Sequence, residues 1–257
     1  MIDSHCHLNH PRLDQDLDIV IEAAIKAGVS GMLVPGFDLE SSRRAVELAD
    51  RYPRLVAAVG IHPHDAKTAD REALAELRAL AAHDKVVAIG EIGLDFYREL
   101  SPRELQNQAF AAQIQLAGEL GLPIIIHHRD AGDSTSEVFR RENAAALGGV
   151  WHCFSGDQAL ANFVVSSGFM LGIAGPVTFK NSRGLAELVP HIPPGNLLIE
   201  TDAPYLAPHP HRGERNCPAF LPLIANKVAQ IRQESIGELS ENTTANFERV
   251  FGKLGLS

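Results

Sequence analysis

Eight short β-rich runs recur along the chain, at residues 2–7, 31–35, 55–61, 86–90, 123–127, 149–152, 169–173 and 196–201, with no linker or change of composition between them. Stretches of helical periodicity separate many of them, at 16–27, 39–51, 71–83, 102–120, 134–146 and 157–167. This sustained alternation predicts an α/β fold, a single TIM (β/α)₈ barrel, with C-terminal helices after residue 217 and over 242–251. A doubly wound open sheet is the alternative, and the strand count argues against it. The whole chain, 1–257, is expected to be one domain, since α/β barrels routinely use about 250 residues that way. Ser101-Pro102 reads as an N-cap followed by a proline at the first helical position. Gly28, Gly121 and Gly168 fall where a left-handed residue closes a helix.

A barrel places its chemistry at the C-terminal ends of its strands, and the ionisable residues of this chain sort that way. His5 and His7 close the first run, and their alternation points both imidazoles to one side, about 6–7 Å apart along the strand. His62 and His64 follow the third run, Glu91 the fourth, His127 and His128 the fifth, His152 the sixth, and Glu200 to Asp202 the eighth. His209 and His211 lie in the next loop, so nine of the twelve histidines gather at one end of the expected barrel. Imidazole and carboxylate donors without a cysteine cluster suit a divalent catalytic centre rather than a structural zinc site. Two ions about 3.5–4 Å apart fit this set, with His5 and His7 on one, His127 and His152 on the other, and Glu91 bridging. Asp202 then has two compatible roles, as a ligand and as the acceptor of a proton from a nucleophilic water. The bland alternative is a metal-free buried polar network, which is costly for so many ionisable groups.

Net charge is −9, which argues against an extended basic groove and leaves room for a nucleic acid held by local phosphate contacts. Three cysteines make no disulfide framework and point to a reducing, cytoplasmic compartment. No apolar run approaches the ~18 residues of a membrane span, and no targeting segment is expected ahead of the first strand.

The motifs Asp3-Ser4-His5-Cys6-His7, Gly60-Ile61-His62-Pro63, Gly90-Glu91-Ile92-Gly93-Leu94-Asp95, Ile126-His127-His128-Arg129-Asp130-Ala131, His152-Cys153-Phe154-Ser155-Gly156, Thr178-Phe179-Lys180-Asn181, Glu200-Thr201-Asp202-Ala203-Pro204 and Arg212-Gly213-Glu214-Arg215-Asn216 occur in order. In these the chain resembles, over essentially its whole length, the TatD family of metal-dependent deoxyribonucleases. The resemblance implies a TIM barrel, a divalent-metal site of His5, His7, Glu91, His127, His152 and Asp202, and exonucleolytic hydrolysis of DNA phosphodiesters with magnesium or manganese; the donor set also accepts zinc or iron. Two positions depart from the family pattern. His128 stands where a small polar residue is usual, and Cys217 replaces the glutamate of an Asn-Glu-Pro run. His128 should point away from His127 and is left as a phosphate contact.

Four further residues are candidates for substrate binding, each with a plainer alternative. His62 contacts substrate or is a loop residue before Pro63. Arg129 grips a phosphate oxygen with its rigid fork or pairs with Asp130 or Asp133. Lys180 offers a point charge or is a solvated loop lysine. Arg212 lines the groove or belongs, with Arg215, to a salt-bridged loop. Asp95 orients a ligand or caps its loop, and His64 is expected to be solvated. Cys6 and Cys153 should both point away from the site, and Gly90 and Gly93 read as turn residues. The same water chemistry on another ester or amide, such as a D-aminoacyl-tRNA or a cyclic amide, is the competing activity, and a non-catalytic metal-stabilised binding protein is a third reading.

Overall fold

The computed structural model describes residues 1–254 and forms an eight-stranded parallel sheet in the order β1 to β8. The strands are β1 (Ile2–Asp3), β2 (Gly31–Pro35), β3 (Leu55–Val59), β4 (Val86–Asp95), β5 (Ile124–Arg129), β6 (Gly149–Trp151), β7 (Met170–Ile173) and β8 (Leu197–Ile199). Sequential parallel pairing excludes the doubly wound order. The Ser4 N–H donates to the Ile199 carbonyl at 3.2 Å, and the Asp202 N–H to the His5 carbonyl at 2.9 Å, so the first and last strands join and the barrel closes. The helices are α1 (Leu17–Lys26), α2 (Leu39–Arg51), α3 (Arg71–Leu80), α4 (Arg103–Leu120), α5 (Gly132–Arg141), α6 (Gln158–Ser166), α7 (Arg183–Leu188), α8 (Leu221–Arg232) and α9 (Ile236–Phe251). Among the described residues no helix is long and apolar enough to cross a membrane.

Two apolar layers hold the barrel. One set of strand residues, including Met32, Leu55, Ile89, Ile126, Leu171 and Ile199, packs with the helices. The alternate set, Ile2, Leu33, Val56, Ala58, Ala88, Ile125, Val150, Met170 and Leu198, clusters with Phe247 and Phe251 of α9 and with Leu254. Period-2 alternation sends these two sets to opposite sides of each strand, and α9 forms the floor beneath the second. Continuous burial of both faces is why the strands read as apolar runs rather than alternating ones.

Several boundaries differ from the sequence reading. The first strand stops at Asp3 rather than at residue 7. A regular strand points the Ser4 and Cys6 N–H groups at the same neighbour; here Ser4 bonds Ile199 of β8 and Cys6 bonds Leu33 of β2. Conversely β4 runs on to Asp95, with a register irregularity between Ile89 and Ile92. Gly93 therefore lies inside a strand, not in a turn, at φ +141°, and a Cβ there would sit 2.0 Å from the His127 carbonyl oxygen. Ser101 does not cap α4: its hydroxyl donates to the His64 carbonyl at 2.7 Å, and Pro102 occupies the cap position. The expected helix over 134–146 ends at Arg141, where the left-handed Asn143 breaks it. The terminal helix starts earlier than expected, at Ile236, under a reciprocal Ser235–Glu238 capping box. Gly28, Gly121 and Gly168 are left-handed as expected.

Candidate metal centre

Glu91 is the hub of the strand-end cluster. It is 2% exposed, and its carboxylate lies 2.7 Å from His127 Nδ1, 2.7 Å from His152 Nε2, 3.3 Å from His5 Nε2, 3.4 Å from His7 Nε2 and 3.5 Å from His62 Nε2. His5 and His7 turn their Nε2 atoms to within 3.2 Å of each other, and Asp202 Oδ1 stands 3.9 Å and 3.5 Å from them. The six residues expected as ligands are thus brought together. Three donor triads converge within this cluster: His5, His7 and Asp202; His5, His152 and Glu200; and His62, Glu91 and His127. Imidazole nitrogens that face one another and two carboxylates form a donor set of nitrogen and oxygen suited to a divalent cation, so these residues fit the metal that the sequence implies.

Local backbone geometry makes this convergence. Asp202 and Cys153 adopt left-handed φ of +55° and +44°, uncommon for residues other than glycine. The turn at Cys153 breaks the alternation, so its side chain lines the cleft rather than pointing away, contrary to the sequence expectation. Burial, followed by the charges of Asp202, Glu200 and Glu91, pushes its thiol well above the ordinary range, which keeps it inert. Cys6 is buried, as expected, with its thiol 3.7 Å from the Leu33 carbonyl. Asp3 ties the two ends of the barrel together. Its carboxylate accepts from the Thr201 N–H at 3.0 Å and from the Thr201 hydroxyl at 2.6 Å, and burial raises it to about 7.

The electrostatics follow from dense packing of opposite charges. Burial disfavours ionised Glu91, yet His152, His62 and the hydrogen-bonded His127 outweigh it and hold the carboxyl well below its usual range. Asp202 is likewise lowered against its burial, by His7 first. His7 is raised to about 9 against burial by hydrogen bonds to Asp202 and Glu91, and His152 is raised by Glu91 and Glu200. His62 goes the other way, to about 3, because burial and the neighbouring His127 charge prevail.

A second ring of residues supports the first; Asp95 and Glu200 are marked in the sequence, while Gly172, Gln106 and Gln113 are not. Asp95 Oδ2 lies 3.3 Å from His127 Nε2 and 3.0 Å from His64 Nε2, while its Oδ1 accepts from the Tyr97 and Arg98 N–H groups. Asp95 therefore both caps its loop and orients His127, and His64 is drawn into the network instead of being solvated. Glu200 is fully buried, accepts from the Cys153 N–H at 2.5 Å and the Ser4 hydroxyl at 3.0 Å, and stands 3.5 Å from His152 Nδ1 without the alignment of a hydrogen bond. Gly172 makes room for it, since a Cβ there would meet Glu200 Oε2 at 2.4 Å. Two buried glutamines of α4 clamp the loops: Gln106 bonds both the N–H and C=O of Asp95, and Gln113 both those of Ile61.

The cluster opens into a cleft of about 820 Å³. Arg12, Arg98, Arg129 and Arg212 line it, in a chain of net charge −9. Arg129 forms no pair with Asp130 or Asp133; its guanidinium lies 3.8 Å from the Tyr97 ring centroid, and Arg212 lies 4.3 Å from that of Phe179. Arg215 is the salt-bridged member of its loop, held by Asp16 and by the Arg12 carbonyl. Lys180 is exposed and does not line the cleft. His128 packs against Trp151 and Phe154 with both ring nitrogens buried and unpartnered, and burial lowers it to about 3.

Residues 2–252 match the model of the TatD-related DNases. The chain belongs to the TatD DNase family. Among its TatD relatives is a metal-dependent hydrolase, YabD, of Bacillus subtilis, 43% identical over 251 residues that cover 98% of both chains. Another, named a 3'-5' ssDNA/RNA exonuclease TatD, of Cronobacter sakazakii, is 43% identical over 260 residues, again 98% of each. The crystal structure of the TatD homologue YjjV of Escherichia coli K12 matches with a TM-score of 0.93 at 30% identity, over 98% of both chains. The resemblance read from the motifs is borne out, and this TatD-family chain is a metal-dependent hydrolase.

Proposed function

We propose that the protein is a divalent-metal-dependent exonuclease that hydrolyses phosphodiester bonds of DNA, and that His5, His7, Glu91, His127, His152 and Asp202 hold two ions, magnesium or manganese, with His62 a further donor to the Glu91 side. One observation carries the reading: five imidazoles surround one buried carboxylate at the foot of a cleft that four arginines line. The bound ions would supply an activated water and neutralise charge on the scissile phosphate. Glu91 faces both halves of the cluster and sets their spacing. Asp202 Oδ1, close to His7 and open to the cleft, accepts the proton that a water loses on attack. Arg129 and Arg212, presented on aromatic faces, meet the phosphate with forked donors that an acyl or amide substrate does not require. Relatives named as exonucleases support this choice over ester or amide hydrolysis.

The test is a set of parallel assays with one preparation, loaded in turn with Mg, Mn and Zn, on end-labelled single- and double-stranded DNA, an aminoacyl-tRNA and a cyclic amide. Stepwise shortening of DNA from one end is expected. Turnover of the aminoacyl ester or amide without DNA cleavage would overturn the proposal.

A further inference from the structure

Three aromatic residues line the cleft, Phe37, Phe179 and Tyr205, and Tyr97 backs the lining residue Arg129; the four are in two different states. Tyr97 and Phe179 each already carry an arginine on a face. Phe37 and Tyr205 do not; each rests edge-on against His7, with centroids 5.6 Å and 6.0 Å away, and each reaches His10, at 6.2 Å and 5.5 Å. Phe37 follows β2 and Tyr205 follows β8, so the two rings flank β1 and its histidines. Both line the cleft, and Tyr205 is 42% exposed.

Neither ring is a loose surface side chain. The Phe37 N–H donates to the Ser41 hydroxyl at 2.8 Å, and its carbonyl accepts from the His62 N–H at 2.8 Å. The Tyr205 N–H donates to the Asp202 carbonyl at 2.9 Å, and its carbonyl accepts from the amide of buried Asn216 at 2.5 Å. Leu206, next in the chain, is left-handed at φ +53°, a conformation that a leucine keeps only where its surroundings enforce it. Two aromatics fixed at both backbone groups, beside the metal centre and without an arginine on them, form a pre-organised stacking surface.

We propose that Phe37 and Tyr205 seat the nucleobase of the strand's terminal nucleotide by stacking; this rests on the nuclease reading above. A base in a duplex is held by stacking on its neighbours and by pairing at its edge, whereas an unpaired terminal base is free to turn a face onto an aromatic ring. The terminal nucleotide is placed on this side because an exonuclease cuts the bond next to it and both rings rest against His7 of the metal cluster. Arg98 and Arg129 follow β4 and β5, across the barrel from β1, where the successive phosphates of the remaining strand need cations. The terminal residue has no further phosphate beyond it, and the arginines of its own side, Arg12 and Arg212, share the cleft wall with Glu214.

The experiment compares two 5'-labelled single-stranded oligonucleotides, one with an ordinary 3'-terminal nucleotide and one whose 3'-terminal nucleotide is an abasic tetrahydrofuran, in manganese under single-turnover conditions. The wild type is expected to remove the base-bearing nucleotide on the order of tenfold faster, the scale of one stacked base. Tyr205→Ala should bring that ratio close to one, and Tyr205→Phe should keep it. Phe37→Ala reads the same ratio if Tyr205→Ala fails to fold. Equal wild-type rates on the two oligonucleotides would overturn the base seat while leaving the nuclease reading intact, as would a Tyr205→Ala variant that slows both and preserves the ratio. Cleavage of neither oligonucleotide, in manganese or with magnesium or zinc in its place, would remove the nuclease reading itself.

Discussion

The two ends of the barrel interior are built from the same strands and have opposite chemistry. Ile125, Val150 and Leu198 belong to the apolar layer packed on α9, and two residues further along their strands stand His127, His152 and Glu200. A step of two keeps a side chain on the same side of a strand, so polarity changes along one line within about 7 Å. The floor is stabilised by apolar area removed from water. The mouth is held by charges that burial alone would neutralise and that persist only because each faces an opposite partner. One fold therefore assigns stability to one end and reactivity to the other.

Breaking the mouth should cost activity and spare the fold. Glu91→Gln is expected to lower metal-dependent hydrolysis by about 10³-fold or more, since the charge common to both halves of the cluster is lost. Its far-UV circular dichroism should match the wild type; an active variant would remove Glu91 from the bridging role. Breaking the floor should do the reverse. Phe247→Ala, at a side chain 1% exposed, is expected to destabilise by about 3 kcal/mol in urea denaturation. Its kcat should remain close to wild type while it stays folded. A parallel loss of kcat would show that the two ends are coupled.

Metal should stabilise through the mouth alone. At a manganese concentration about 100 times Kd, unfolding should cost about 2.7 kcal/mol more, which raises Tm by roughly 5–10 °C and is reversed by chelation. The shift should persist in Phe247→Ala and shrink in Glu91→Gln. The smallest effect expected is for Asp95→Asn, about 10- to 100-fold in metal affinity, because this residue acts by orienting His127. Manganese titration followed by calorimetry would measure it, and unchanged affinity would limit Asp95 to capping its loop.

The strand phases, and the polar residues that follow the strands, were legible in the sequence because a parallel barrel strand is apolar on both faces until it nears the mouth, where His127 or Glu91 interrupts it. The six clustered residues followed from that rule. What the rule misses is geometry that departs from period 2. Cys153 enters the cleft through a left-handed turn, and β4 passes Gly93 into Asp95 because the missing Cβ admits the His127 carbonyl. Glu200 sits at a strand end and was visible there, but its role depends on space left by Gly172, a contact across two strands that no local pattern encodes. Gln106 and Gln113 gave no signal, since on a helical wheel they look like ordinary polar positions, and only tertiary packing turns them inward.

The Asp3–Thr201 clasp joins residues 198 positions apart, and the floor beneath it waits for α9. During synthesis, when a chain emerges from its first residue onward, His5 and His7 appear early and stay without Asp202 until nearly the whole polypeptide has been made. A prematurely released fragment therefore holds part of the metal cluster and no closed barrel to present it.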